Sequence, residues 1–108
     1  MVDSSTIDGV KRFLKNVDAN GIKVSFGVMF GSRARGDNDD QSDIDLIVVS
    51  PDFDGIKKRP DVAKLWGCAA ETDARIEPIP CGEIQWREDD GSPIIEVARL
   101  EGQIVYPG

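Results

Sequence analysis

Residues 26–50, FGVMFGSRARGDNDDQSDIDLIVVS, decide the fold of this chain. Two apolar, β-rich segments, 22–30 and 42–50, flank a polar connection that begins at Gly31 and contains a cluster of aspartates. Continuous apolar runs of this length are typical of buried strands, so both segments are predicted to be strands and the second to be central in its sheet. The connection is predicted to be a turn, which a short helix could continue, and then a solvated loop.

The sequence on either side of this stretch alternates between helical and strand patterns. The spacing of apolar residues predicts helices over 4–19, 61–71 and 92–102, a helical turn within 81–88, and strands over 73–79 and 103–107. Pro78 predicts that the third strand ends at an edge, and Trp66 is predicted to face the core. This order predicts an α/β fold, with a small mixed sheet covered by helices in one domain, 1–108.

Composition excludes several classes of function. The chain has no histidine, which removes Ser-His and Cys-His nucleophile pairs and histidine-ligated zinc. A net charge of −7 disfavours extended nucleic-acid binding. The two cysteines, Cys68 and Cys81, are too few for a disulfide framework and are predicted to be reduced, with Cys68 in a helix core. No apolar run approaches the roughly 20 residues that span a membrane, and no signal pattern is present, so a cytoplasmic location is expected.

The connection after the first strand has features of an anion site. Gly31 permits close approach of a ligand to the backbone, the amides of a following helix start favour an anion, and Ser32 adds a hydroxyl donor. Arg33 and Arg35 would add positive charge. The alternative is an ordinary strand-to-helix turn.

Three carboxylates form the second candidate feature. Asp43 and Asp45 are two residues apart at the start of a strand, which places them on one face, with Ile44 directed into the core. If the strand that contains Glu77 lies beside this one, Glu77 completes a three-carboxylate site of the kind that suits Mg²⁺. The alternatives are a solvated strand end for the aspartates and a surface pair between Arg75 and Glu77.

Two rival motifs fail on specific residues. Gly31 and Gly36 have the spacing of a phosphate-binding P-loop, but Asp37-Asn38 stands where Lys-Ser/Thr is required. The run from Asp37 lacks the glycine and the glutamate of a calcium-binding loop, with Ser42 and Val48 in their places.

Together these segments resemble a known family. GSRARG (31–36), an acidic spacer and SDIDLIVV (42–49) resemble the G-S-x-x-R-G…S-D-x-D-L signature of the minimal nucleotidyltransferases (MNT, MntA-like antitoxins) of the DNA polymerase β superfamily. RIEPIP (75–80) and IIEVARLEGQIVY (94–106) resemble the third-acid strand and the C-terminal helix and strand of that family. The resemblance extends over almost the whole chain and implies a polymerase β-like nucleotidyltransferase fold.

The resemblance also implies a site. Its nucleotide-binding residues would be Gly31, Ser32, Arg33, Arg35 and Ser42. Its catalytic and metal-binding residues would be Asp43, Asp45 and Glu77, with two Mg²⁺ ions. Many superfamily members have aspartate at the position of Glu77, and the longer side chain would move the base that activates the acceptor.

The implied activity is transfer of a nucleoside monophosphate, most simply AMP from ATP, to a hydroxyl group. Stand-alone members of the family commonly act as antitoxins of a helical HEPN ribonuclease toxin, by binding it or by adding AMP to one of its tyrosines. The alternatives are a non-catalytic module that masks a partner surface and a transferase that acts on a small hydroxylated metabolite.

Overall fold

The computed structural model describes residues 4–30, 43–54, 59–88 and 91–107. The helices among these residues are α1 (Ser4–Ala19), a 3₁₀ turn (Pro51–Phe53), α2 (Arg59–Thr72), α3 (Glu83–Glu88) and α4 (Pro93–Glu101). The strands are β1 (Phe26–Phe30), β2 (Ile44–Ser50), β3 (Ile76–Gly82) and β4 (Gln103–Val105).

The four strands form one mixed sheet in the order β3-β2-β1-β4. β1 is antiparallel to both β2 and β4, whereas β2 and β3 are parallel. The predicted mixed α/β architecture is confirmed, as are the internal position of β2 and the edge position of the strand that contains Pro78.

Helices cover both faces of the sheet. On one face, α1 packs on β1 and β4 and α2 packs on β3, and this layer contains fully buried residues such as Phe13, Leu46 and Leu65. On the other face, α4 packs on β1 and β2, where Ile95 and Ala98 join Val28, Ile47 and Cys81 in a second cluster. None of the helices in the described part of the chain is long and apolar enough to cross a membrane.

Cys68 and Cys81 are both buried free thiols. Cys68 belongs to the cluster under α1 and α2, and Cys81 belongs to the cluster on the opposite face. Because the sheet separates them, they cannot form a disulfide with each other, and the prediction that Cys68 lies in a helix core is confirmed.

The outer edge of β3 is closed to further pairing. In the parallel ladder with β2, every second residue of β3 directs its backbone outward, and these residues are Ile76, Pro78, Pro80 and Gly82. The two prolines have no N–H group. The N–H of Ile76 donates to the carbonyl oxygen of Asp73 at 3.0 Å, and that of Gly82 donates to Oε1 of Gln85 at 3.3 Å. Within β3, which the structure describes in full, no outward backbone donor is left unused.

The largest differences from the predicted strand boundaries are in β1 and β3. β1 begins at Phe26 rather than at residue 22, because carboxylates take the preceding backbone donors: Asp52 accepts from the Lys23 N–H at 2.9 Å and Asp18 from the Val24 N–H at 3.4 Å. β3 begins and ends three residues later than predicted and runs through both prolines, which an outward-facing edge position permits.

The prediction that Trp66 faces the core is wrong. Its side chain is 50% exposed, whereas Leu65, Cys68 and Ala69 on the same helix are buried. Helical spacing places Trp66 at the margin of the apolar face, and α2 turns Leu65 and Cys68 towards α1 instead.

Two glycines, Gly82 at the end of β3 and Gly67 in α2, offer a matched test of how tightly the chain packs around β3. A Cβ at Gly82 would lie 1.9 Å from Oδ1 of Asp54 and 3.0 Å from its Cα, and that Oδ1 also accepts from the N–H of Ile84 at 3.1 Å. We expect Gly82→Ala to lower the free energy of unfolding by about 1–3 kcal/mol, the usual cost of overpacking.

Gly67 in α2 is the control, because a Cβ there meets nothing within 4 Å. We expect Gly67→Ala to raise the free energy of unfolding by roughly 0.5–1 kcal/mol, since alanine is the better helix former. Urea unfolding followed by circular dichroism measures both changes, and equal effects of the two variants would contradict the packing described at Gly82.

Candidate active site

The site is built on the parallel pair of β2 and β3. The register pairs Ile44 with Ile76 and Asp45 with Glu77. Asp43 immediately precedes the first paired residue of β2 and is exposed, whereas Asp45 and Glu77 are half-buried. The predicted proximity of the three acids is therefore found.

Burial of the neighbouring side chains fixes the direction of the acids. Ile44 and Ile76 are 0% and 1% exposed and belong to the cluster under α1 and α2. Because successive side chains of a strand point to opposite faces, Asp45 and Glu77 point to the other face, the one on which α4 packs. The core thus determines which face of the sheet receives the carboxylates.

The carboxylates interact strongly with one another. Repulsion from Asp43 raises the pKa of Glu77, with smaller contributions from burial, from the charge of Asp45 and from hydrogen bonds to both aspartates. Burial raises the pKa of Asp45, the hydrogen bond from Glu77 lowers it, and the charge of Asp43 raises it. Two carboxyl groups can share a hydrogen bond only when one is protonated. The two aspartates therefore favour the protonated form of Glu77.

The donor set suits a hard divalent cation. Three carboxylates supply the oxygen ligands that Mg²⁺ prefers, and their mutual repulsion is the cost that a cation would relieve. In the part of the chain that the structure describes, however, no group of three or more acid, cysteine or histidine side chains is already arranged around a common metal position. The chemistry of the residues fits a metal.

The ion pair of Arg75 is with Asp73, whereas the alternative prediction paired it with Glu77. The Arg75 guanidinium binds the carboxylate of Asp73 at 2.7 Å, in a two-pronged contact. Asp73 is not among the predicted site residues. The sequence feature that could have identified Asp73 is the D-x-R spacing in the turn before a strand. This feature is a weak indication, because such turns are common.

The predicted nucleotide-binding residues lie outside the described residues. They are Gly31, Ser32, Arg33, Arg35 and Ser42. The last described residue before them is Phe30, which pairs with Asp45 across β1 and β2. The chain therefore leaves β1 at the end of the sheet where the carboxylates lie.

Solved structures with a similar fold include two nucleotide-related proteins. A protein from Sulfolobus solfataricus, provisionally described as a nucleotidyltransferase, has a TM-score of 0.61 and 20% identity, covering 91% of this chain and 77% of the other. A toxin–antitoxin structure with AMP-PNP contains a chain with a TM-score of 0.62 and 18% identity, covering 92% of this chain and 73% of the other. At these identities the likeness shows the fold.

The family is shown by a match at the level of sequence. No curated protein matches the chain, but a family model described as a nucleotidyltransferase domain matches residues 10–100. That range includes β1, β2 and β3 and all three carboxylates. The chain therefore belongs to the nucleotidyltransferase domain family.

Proposed function

We propose that this chain is a Mg²⁺-dependent nucleotidyltransferase that transfers AMP from ATP to a hydroxyl group of a partner protein. The observation that supports this most directly is the meeting of Asp43, Asp45 and Glu77 on two adjacent strands of a nucleotidyltransferase fold. Repulsion among three neighbouring carboxylates destabilises the folded protein, and a reaction that needs a bound cation would explain why the three acids are placed together.

Each residue has a distinct role in the proposal. Asp43 and Asp45 would hold up to two Mg²⁺ ions, and Glu77, on the neighbouring strand, would be both a third ligand and the acceptor of the proton from the attacking hydroxyl. The metal would supply charge stabilisation for the reacting phosphate. The hydroxyl oxygen forms a bond to the α-phosphorus of ATP, the bond from that phosphorus to the β-phosphate oxygen breaks, and pyrophosphate leaves.

The nucleotide would be oriented by the connection after β1. We propose that Gly31 and Ser32 bind the triphosphate through backbone amides and a hydroxyl, with Arg33, Arg35 and Ser42 as further contacts. The position of Phe30 opposite Asp45 supports this assignment, because β1 ends where the reaction would occur.

A partner protein is the proposed acceptor. Ile94, Val97 and Leu100 follow helical spacing along α4 and are all exposed, Leu100 by 82%. Ile104 and Tyr106, on and after β4, are also exposed. Exposed apolar patches mark interaction surfaces. A HEPN-type toxin is the partner we propose, and the toxin–antitoxin neighbour with AMP-PNP is in keeping with it.

The same surface favours one alternative function. If partner binding alone neutralises the toxin, the apolar residues of α4 and β4 would be sufficient and the carboxylates would not be needed. Transfer to the partner would need both the carboxylates and this surface, whereas masking would need the surface alone, and this difference makes the two functions separable.

The carboxylates also make stability depend on pH. Because the pKa values of Asp45 and Glu77 are raised in the folded protein, the folded state holds their protons more tightly than the unfolded state does. The contribution of these bound protons to the stability of the folded state is complete below the ordinary carboxyl pKa of about 4. It is lost as the pH rises through the raised values, so at neutral pH the ionised cluster opposes folding.

The first prediction concerns catalysis. We expect Asp45→Asn to reduce AMP transfer at least 100-fold, a typical loss when electrostatic stabilisation of the transition state is removed, while the circular dichroism spectrum stays unchanged. Release of pyrophosphate from ATP and Mg²⁺ in the presence of the partner measures the rate. Asp8→Asn, at an exposed position of α1, is the charge-matched control and should retain full activity. Full activity in Asp45→Asn would rule out the proposed mechanism.

The second prediction concerns pH. Without Mg²⁺, we expect Glu77→Gln to raise the melting temperature by a few degrees at pH 7, because it removes repulsion from Asp43, and to leave it unchanged near pH 4. Calorimetric melting at both pH values provides the comparison, with Glu71→Gln on the exposed side of α2 as the control. An equal gain at both pH values would show that repulsion is not its cause.

The third prediction separates transfer from masking. ATP labelled at its α-phosphate should label the protein encoded by the adjacent gene when Mg²⁺ and this chain are present. Leu100→Glu should weaken the complex and the labelling together, whereas Asp45→Asn should abolish labelling and leave the complex intact. A stable wild-type complex without any label would support the masking function instead.

A further inference from the structure

An ion pair between Asp73 and Arg75 lies immediately before β3. Oδ1 of Asp73 accepts from the backbone N–H of Arg75 and from its Nε, both at 3.0 Å, and Oδ2 accepts from Nη2 at 2.7 Å. A guanidinium that donates to both oxygens of a carboxylate is fixed in its orientation, and its charge is balanced by the carboxylate.

Asp73 is itself held by backbone contacts. Its N–H donates to the carbonyl oxygen of Ala69 at 2.9 Å at the end of α2, and its carbonyl oxygen accepts from Ile76 at 3.0 Å. α1 passes close by at Gly9, where a Cβ would lie 3.2 Å from Oδ2 of Asp73. The Asp73 side chain is only 14% exposed, so its carboxylate is a fixed anchor for the arginine.

Arg75 lies next to the carboxylate cluster. Its carbonyl oxygen accepts from the N–H of Ile44 at 2.8 Å, at the start of the β2–β3 ladder. Arg75 therefore stands beside Asp43 in the register and two residues before Glu77. A cation at this position is attracted electrostatically to the neighbouring acids Asp43 and Glu77.

We infer that Asp73 is a positioning residue: it holds the guanidinium of Arg75 and thereby keeps Asp43 and Glu77 available to a divalent cation. The inference rests on the proposed function insofar as the cation is Mg²⁺. Without Asp73, Arg75 would turn to the acids and compete with the metal for them.

A purely structural role of Asp73 makes a different prediction. If Asp73 only shapes the turn before β3, its loss should weaken the site whether or not Arg75 is present. If it restrains Arg75, removal of the arginine should cancel the effect of removing the aspartate. A double-mutant cycle distinguishes the two roles.

The first experiment measures binding of Mn²⁺, used as a spectroscopic probe for Mg²⁺, by the loss of its free-ion electron paramagnetic resonance signal. We expect Asp73→Asn to weaken binding about three- to fivefold, the range of a partly exposed ion pair. Arg75→Gln should not weaken it, and the double variant should bind as Arg75→Gln does. Glu71→Gln removes one charge from α2 and should have no comparable effect. An unchanged affinity in Asp73→Asn, or a double variant as weak as Asp73→Asn, would overturn the inference.

The second experiment needs no metal. Asp43→Asn should raise the urea midpoint in the wild-type background, because it removes repulsion, and should raise it less in the Asp73→Asn background, where Arg75 already compensates Asp43. Equal shifts of the urea midpoint in the two backgrounds would refute the claim that Asp73 restrains Arg75. If the wild-type protein binds no Mn²⁺ at all, the proposed function is wrong, and this comparison alone decides whether Asp73 keeps Arg75 away from Asp43.

Discussion

The parallel pairing of β2 with β3 is the constraint on which the candidate site depends. It sets Asp45 directly opposite Glu77, and it does so because Ile44 and Ile76 are buried side by side in the core. A slip of β3 by one residue would turn Ile76 out of the core cluster and direct Glu77 into it, which is far more costly than the repulsion between the acids. Packing thus holds together charges that would otherwise separate.

Much of this arrangement could be predicted from the sequence, because the relevant patterns are local. The alternation around Asp43 and Asp45 fixes their face without knowledge of the rest of the chain, and the apolar run after them predicts a central strand. The identification of Glu77 required one further assumption, that its strand lies beside β2. The sheet order confirms that assumption. The functional roles of these residues remain predictions.

Other features could not be predicted, since they depend on contacts between distant segments. Nothing in the spacing of α2 determines whether Trp66 lies inside or outside the margin of the apolar face, because that depends on where α1 packs. The late start of β1 follows from carboxylates on other elements that take its backbone donors. The contact between Arg75 and Asp73 likewise lies where a distant element, α1, approaches at Gly9.

The two prolines of β3 have a consequence for how another chain can approach the acids. Extension of a sheet by an incoming strand requires alternating donors and acceptors along the edge, and this edge has no donor to offer. A polypeptide that reaches Glu77 from that side must therefore be recognised through its side chains, without a main-chain template. The same edge is also protected against the unspecific edge-to-edge association that leads to aggregation.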